Sequence, residues 1–235
     1  MVLEHVAGTP LSDVLAEGEL TEDGFTQAEL RDLGAEVGQA IGRIAAVAFD
    51  RPGFFADERL TVPAEIPWSQ QLPDFAASCV GPASEARLGT AILQAWVELC
   101  TAHAPALTRV NGQARLVHAD VNPKNILVSK TPAGWRVDSV LDWEFSFSGC
   151  PYGDAANMAR FGDTYPDGFL ASFLAAFAAS QPDDCPPPED WLYLGHVLDM
   201  FALSDLVTRP AGHAVADQAA DQIRRWVTEG VPDGQ

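Results

Sequence analysis

The amino-acid sequence predicts an α+β fold that is mostly helical, with small β-hairpins at its centre. Three observations predict it. Leu30, Leu33, Val37, Ile41, Ile44 and Val47 recur at three- and four-residue spacing and mark one apolar helix face. Two short β-type runs, Arg115 to Val117 and Ile126 to Val128, lie mid-chain and are too brief for helices. From Tyr152 onward the helical pattern returns.

Taken in order, Val2 to Val6 form an extended run ending in the turn signal Ala7-Gly8-Thr9-Pro10. Thr26 with Glu29 makes a capping box, so a helix begins near Gln27, and its apolar face continues to about Phe49. Residues 50–67 hold three prolines, Gly53 and the adjacent Phe54 and Phe55, the texture of a packed loop. Helical patterns follow at 68–79 and 83–103, the second opened by Pro82. After the two β-type runs, Thr131 to Gly134 is a turn and Trp135 to Leu141 a third strand. Phe169, Phe173, Leu174 and Phe177 share a helix face. Asp183 to Pro188 break the pattern, and Trp191 to Val207 and Val215 to Val227 resume it. There is no internal repeat.

The 235 residues fit a single domain, and 47% apolar content is enough for a real core. Acidic residues number 33 against 14 basic ones, a formal net charge of −19. That field repels nucleic acid and anionic membranes and favours cationic ligands or metal-bound anions. Cys79, Cys100, Cys150 and Cys185 are scattered without a CxxC pair, which argues against a zinc or disulfide framework and fits a cytoplasmic protein. The opening residues lack a basic region followed by an apolar stretch and so do not read as a signal peptide, and the longest apolar run, Phe169 to Ala179, is too short to span a bilayer.

The chemistry-bearing segment runs from Leu116 to Val128. It places Asp120 and Asn125 five residues apart on a loop between two strands, and Asp142 follows at the end of the third strand. Phosphoryl transfer uses such groups: a carboxylate to orient the attacking hydroxyl and take its proton, and hard oxygen ligands to hold magnesium against nucleotide phosphates. The spacing matches the protein-kinase pattern of His-Arg-Asp, four residues and Asn, with a later Asp. Here Ala119 stands in the middle position, and the later tripeptide is Asp142-Trp143-Glu144. A zinc site on His118 and Asp120 lacks a third ligand at suitable spacing.

These two departures, with Gly149-Cys150-Pro151-Tyr152-Gly153-Asp154 beyond them, resemble the aminoglycoside phosphotransferase and choline kinase group. The resemblance implies the C-terminal lobe of a protein-kinase-like fold. Residues 115–154 would be its catalytic and metal-binding core, and 155–235 its helical substrate side. It implies Asp120 as catalytic base, Asn125 and Asp142 as magnesium ligands, and His118 and Asp154 as supports of the catalytic loop. Residues 1–11 would be a hinge remnant offering backbone groups, at Glu4 and Val6, to the adenine of ATP or GTP. Lys124 either meets the transferring phosphate or is a solvated charge, and Glu144 either assists at the metal through water or is likewise solvated. Asp199 and Asp205 are candidate carboxylates for a cationic acceptor, with an ordinary polar helix face as the alternative.

The resemblance further implies a small β-rich lobe ahead of residue 1, with a phosphate-covering loop and a lysine on its third strand. The expectation is therefore of a truncated small-molecule kinase, weakly active or inactive alone. The alternative is a non-catalytic pseudo-phosphotransferase serving as a binding or regulatory module.

Overall fold

The computed structural model describes residues 6–20 and 25–233; most of the expected run from Val2 to Val6, Glu4 included, lies outside them. The elements are β1 (Thr9–Pro10), α1 (Leu11–Leu20), α2 (Gln27–Ile44), β2 (Gly53–Phe54), α3 (Trp68–Ser78), α4 (Pro82–Leu88) and α5 (Thr90–His103). They continue with β3 (Arg115–Val117), β4 (Ile126–Thr131), β5 (Gly134–Val140), β6 (Phe147–Gly149), α6 (Tyr152–Ala159), α7 (Phe169–Ala179), α8 (Trp191–Leu206) and α9 (Ala214–Glu229). The architecture is the expected mostly helical α+β fold, with two three-stranded antiparallel sheets ordered β1-β4-β5 and β2-β6-β3.

The two sheets position the site. The segment from His118 to Asn125 leaves β3 in one sheet and enters β4 in the other, and the segment from Leu141 to Ser146 leaves β5 and enters β6. Both loops cross between the same two sheets, so they run side by side although their aspartates are far apart in sequence. Ile126 faces Val140 across the β4–β5 pair and Val117 faces Phe147 across β3–β6, which fixes the start and end of both crossings.

Helix α2 begins as its capping box requires. Thr26 Oγ1 accepts from the Glu29 backbone N–H at 3.2 Å, and Glu29 Oε2 accepts from the Thr26 N–H at 2.9 Å. It stops at Ile44, short of Phe49, because the next residues turn extended and pair with the strand beside them. Val47 O accepts from Leu116 N–H at 2.9 Å and Phe49 N–H donates to Ala114 O at 2.8 Å. Tertiary pairing thus overrides the helical periodicity there. The helix expected over 83–103 is two, α4 and α5, parted at Gly89, whose φ of +78° no continuing helix adopts.

The core lies among the helices, with Phe169, Phe173 and Phe177 of α7 fully buried. They are covered by α2 at backbone contact. A Cβ on Gly34 or Gly38 would overlap the carbonyl oxygen of Phe169 or Phe173, and one on Gly42 would lie 2.9 Å from that of Phe177. Three glycines on one face cost about 1 kcal/mol each in helix propensity. The close approach requires them.

Candidate active site

The catalytic-loop candidate is braced from below. Asp154, fully buried in the first turn of α6, accepts the backbone N–H of His118 through Oδ2 at 2.9 Å and that of Ala119 through Oδ1 at 2.8 Å. Burial pushes its carboxyl pKa up to about 7, against the opposing pull of those two N–H donors. Ala119 is held at φ +69°, a conformation that costs a non-glycine residue about 1–3 kcal/mol and persists only where surroundings over-determine it.

His118 ties this loop to the second one. Its Nδ1 accepts from the Asp120 backbone N–H at 3.2 Å, and its Nε2 donates to the Leu141 carbonyl at 2.8 Å. One neutral tautomer satisfies both bonds. Burial lowers its pKa in the same direction, disfavouring the charged ring. The ring also meets Trp143 edge to face, centroids 4.6 Å apart. Leu141 N–H donates to the Asn125 carbonyl at 2.7 Å, a second tie between the crossings.

Asp120 and Asn125 are brought together. Asn125 Nδ2 donates to Asp120 Oδ2 at 2.9 Å and to the Asp120 carbonyl at 3.0 Å. The other carboxylate oxygen of Asp120 and Oδ1 of Asn125 have no hydrogen-bond partner among the described residues. Asn122, which sequence reasoning passed over, caps the same turn. It donates to the Asp120 carbonyl at 3.1 Å and accepts from Lys124 N–H at 3.0 Å, and its only advance signal was the Asn-Pro dipeptide.

Asp142 stands immediately after the Leu141 tie, exposed, in the left-handed conformation with φ +65° and ψ +61°. Aspartate tolerates that region better than most residues, and here it turns the chain out of β5. Its carboxylate and that of the exposed Glu144 have no hydrogen-bond partner among the described residues. The donor set suits magnesium, which typically takes one or two carboxylates and completes its shell with water and substrate phosphates. Asn125 and Asp142 offer an amide oxygen and a carboxylate on adjacent crossings. The Lys124 ammonium is exposed on the catalytic loop, and Val6 is exposed just ahead of β1, which pairs with β4. Glu4 lies outside the described residues.

Asp120 opens onto a cleft of about 430 Å³. Its wall is aromatic: Phe54 from β2, Trp68 and Phe75 from α3, Phe147 from β6 and Phe201 from α8. Sequence reasoning missed these residues. Phe54 and Phe55 had stood out only as a pair inside a packed loop, and the rest belong to elements scattered across the chain. Asp199 and Asp205 also line the cleft. Asp199 is bound by Arg160, whose Nε lies at 2.8 Å, and accepts from Asn157 Nδ2 at 2.6 Å; Asp205 pairs with Arg209 at 2.8 Å.

The sequence matches the profile of the phosphotransferase enzyme family over residues 1–192. A search of curated protein sequences gave no match. Among solved structures, a thermostable mutant of aminoglycoside phosphotransferase APH(4)-Ia, in ternary complex with ADP and hygromycin B, aligns with a TM-score of 0.64. The identity is 16%, over 97% of this chain and 71% of that one. Choline kinase LicA from Streptococcus pneumoniae aligns with a TM-score of 0.56 at 15% identity, over 87% of this chain. This chain spans 65% of the choline kinase's length. At such identities the likeness is one of fold.

Proposed function

The chain belongs to the phosphotransferase enzyme family, and from that premise we propose that it transfers the γ-phosphoryl group of a purine nucleoside triphosphate, with magnesium, to a hydroxyl of a small molecule held in the aromatic cleft. The observation that carries the reading is Asp120: one carboxylate oxygen is fixed by Asn125 and the other is unengaged at the floor of the cleft. Relatives crystallised with ADP or with AMP-PNP support the donor class.

The acceptor oxygen bonds to the γ-phosphorus as the bond to the β-bridging oxygen breaks. The hydroxyl proton passes to the Asp120 carboxylate, and the nucleoside diphosphate leaves. The positioning of Asp120 is the protein's contribution: Asn125 and the His118 ring hold its side chain and backbone, and Asp154 holds the loop. Asn125 Oδ1 and Asp142 would hold magnesium, which when bound neutralises charge on the phosphates. Lys124 and Glu144, both exposed, would approach the phosphates and the metal's water shell.

The test is phosphorylation of an alcohol acceptor by magnesium–ATP, compared between the protein and Asp120→Asn. The variant keeps the shape and loses the proton-accepting charge, so transfer should fall by roughly a hundredfold or more while acceptor binding survives. Transfer indifferent to the substitution refutes the assignment of Asp120. A chain extended upstream by an in-frame N-terminal lobe that binds both nucleotide and acceptor yet transfers nothing refutes catalysis and leaves a binding module.

A further inference from the structure

We propose that the acceptor is an uncharged or at most singly charged alcohol with an apolar, ring-sized body, and that polycationic amino sugars are excluded. The proposal rests on the reading of the cleft as the acceptor site.

The first ground is the wall. Phe54 meets Trp68 at 5.6 Å and 86° and Phe147 at 5.5 Å. Trp68 meets Phe147 at 5.2 Å and Phe201 at 6.0 Å and 81°, and Phe201 meets Phe75 at 5.3 Å. Five rings thus form one continuous surface from the rim to the floor. Those at the mouth are open to solvent, Phe54 by 51% and Phe75 by 36%. Large exposed aromatics gathered at one place mark a binding surface, and this one ends at the carboxylate that needs a hydroxyl. Two of these contacts, Phe54 with Trp68 and Trp68 with Phe201, place a ring edge against a ring face, and the other three are tilted by 50° to 56°.

The second ground is charge. The cleft is lined by three carboxylates, but two of them are already matched. Asp199 is wholly buried and receives two nitrogens of Arg160 and one of Asn157, so it has little capacity left for a ligand's ammonium group. Asp205 is paired with Arg209. Asp120 is therefore the single unmatched charge among these pairs, and it is occupied by the reacting hydroxyl. An amino sugar with several ammonium groups would lose their hydration against the rings, and the one unpaired carboxylate of the cleft would compensate only one of them.

The volume sets the scale. About 430 Å³ suits one or two fused rings with a short side arm.

The test uses three probes, naphthylethanol, choline and kanamycin, each titrated into the protein by calorimetry and each offered as acceptor with magnesium–ATP. Naphthylethanol should bind at least about tenfold more tightly than either cation, with an affinity unmoved by added salt. Phe75→Ala, at the rim and safe for folding, should weaken it about tenfold, and Phe201→Leu should weaken it by a smaller factor. Tighter binding of kanamycin or choline, or no binding of naphthylethanol, overturns the proposal. Phosphorylation of kanamycin alone would leave phosphoryl transfer standing and sink the acceptor class. Naphthylethanol bound in the cleft but never phosphorylated would uphold the ligand class and sink the transfer reading.

Discussion

Asn125 donates one amide nitrogen to both the side-chain and the main-chain oxygen of Asp120, at 2.9 Å and 3.0 Å, and so turns its own oxygen the opposite way. In the proposed mechanism a single residue thereby aims the Asp120 carboxylate and offers an oxygen to the metal. Each role depends on the amide having two unlike ends.

Asn125→Asp should therefore be worse than its size suggests. It supplies a metal-binding oxygen but sets a second carboxylate against two acceptors on Asp120. Loss of the donor and like-charge repulsion should lower turnover by roughly a hundredfold or more. Steady-state phosphoryl transfer by the variant checks this; turnover within a few-fold of the parent would contradict the pairing.

Asp142→Asn separates metal binding from folding. Asparagine accepts the left-handed backbone as readily as aspartate, so the thermal midpoint should stay within a few degrees. Magnesium–nucleotide affinity should fall by about tenfold or more with the charge removed, since one charge at about 4 Å is worth a few kcal/mol in a half-screened site. Calorimetric titration of magnesium–nucleotide into both proteins measures it.

His118 should set an acid limit on stability. Its ring is held neutral and its pKa is lowered below the ordinary 6.5, so below that value the unfolded chain takes up a proton that the folded chain resists. The stability due to this group is present above about pH 6.5 and is lost as the pH falls through the lower folded value. Urea unfolding midpoints taken from about pH 7.5 down to about pH 5 should fall, and His118→Gln should flatten this part of the curve.

Asp154 carries the opposite sign. Its pKa rises from an ordinary 3.8 to about 7, so the folded state holds a proton that the unfolded state has released across that interval. The stability due to this group is present below about pH 4 and is lost as the pH rises towards 7. Asp154→Asn keeps one acceptor and turns an amide N–H toward a backbone N–H, which should destabilise by about 1–3 kcal/mol and abolish this slope. The same unfolding series measures both effects.

Gly38→Ala should destabilise although alanine is the better helix former. Its methyl group overlaps the Phe173 carbonyl oxygen, a backbone atom that moves only if α7 moves, and overpacking of this kind costs about 1–3 kcal/mol. Thermal unfolding gives the sign; a stabilised variant would mean that the two helices are not in backbone contact.

The grouping of the candidate residues was legible in the sequence because it is local. Asp120 and Asn125 share one loop, and Asp142 follows a strand whose turn residues precede it. The same holds for the capping box of α2. The cleft was not legible, because its rings come from Phe54 through Phe201 and meet only when β2, α3, β6 and α8 are assembled. Helix α1 carried its signal in Leu11, Val14 and Leu15, all buried, but the turn residues ahead of it and Gly18 within it masked the pattern. Strands β2 and β6, two and three residues long, are too short for an alternation to register at all.

The glycine face of α2 also limits how this chain can change in length. A helix rotates about 100° per residue, so one residue inserted before Gly38 swings Gly38 and Gly42 off the carbonyl row of α7 and brings bulkier side chains onto it. An insertion of about seven residues, two whole turns, is the shortest that restores the phase to within about 20°. Relatives of this chain should therefore gain and lose residues in the exposed turn from Asp57 to Leu60, beyond the pairings of Val47, Phe49, Gly53 and Phe54, and almost never inside α2.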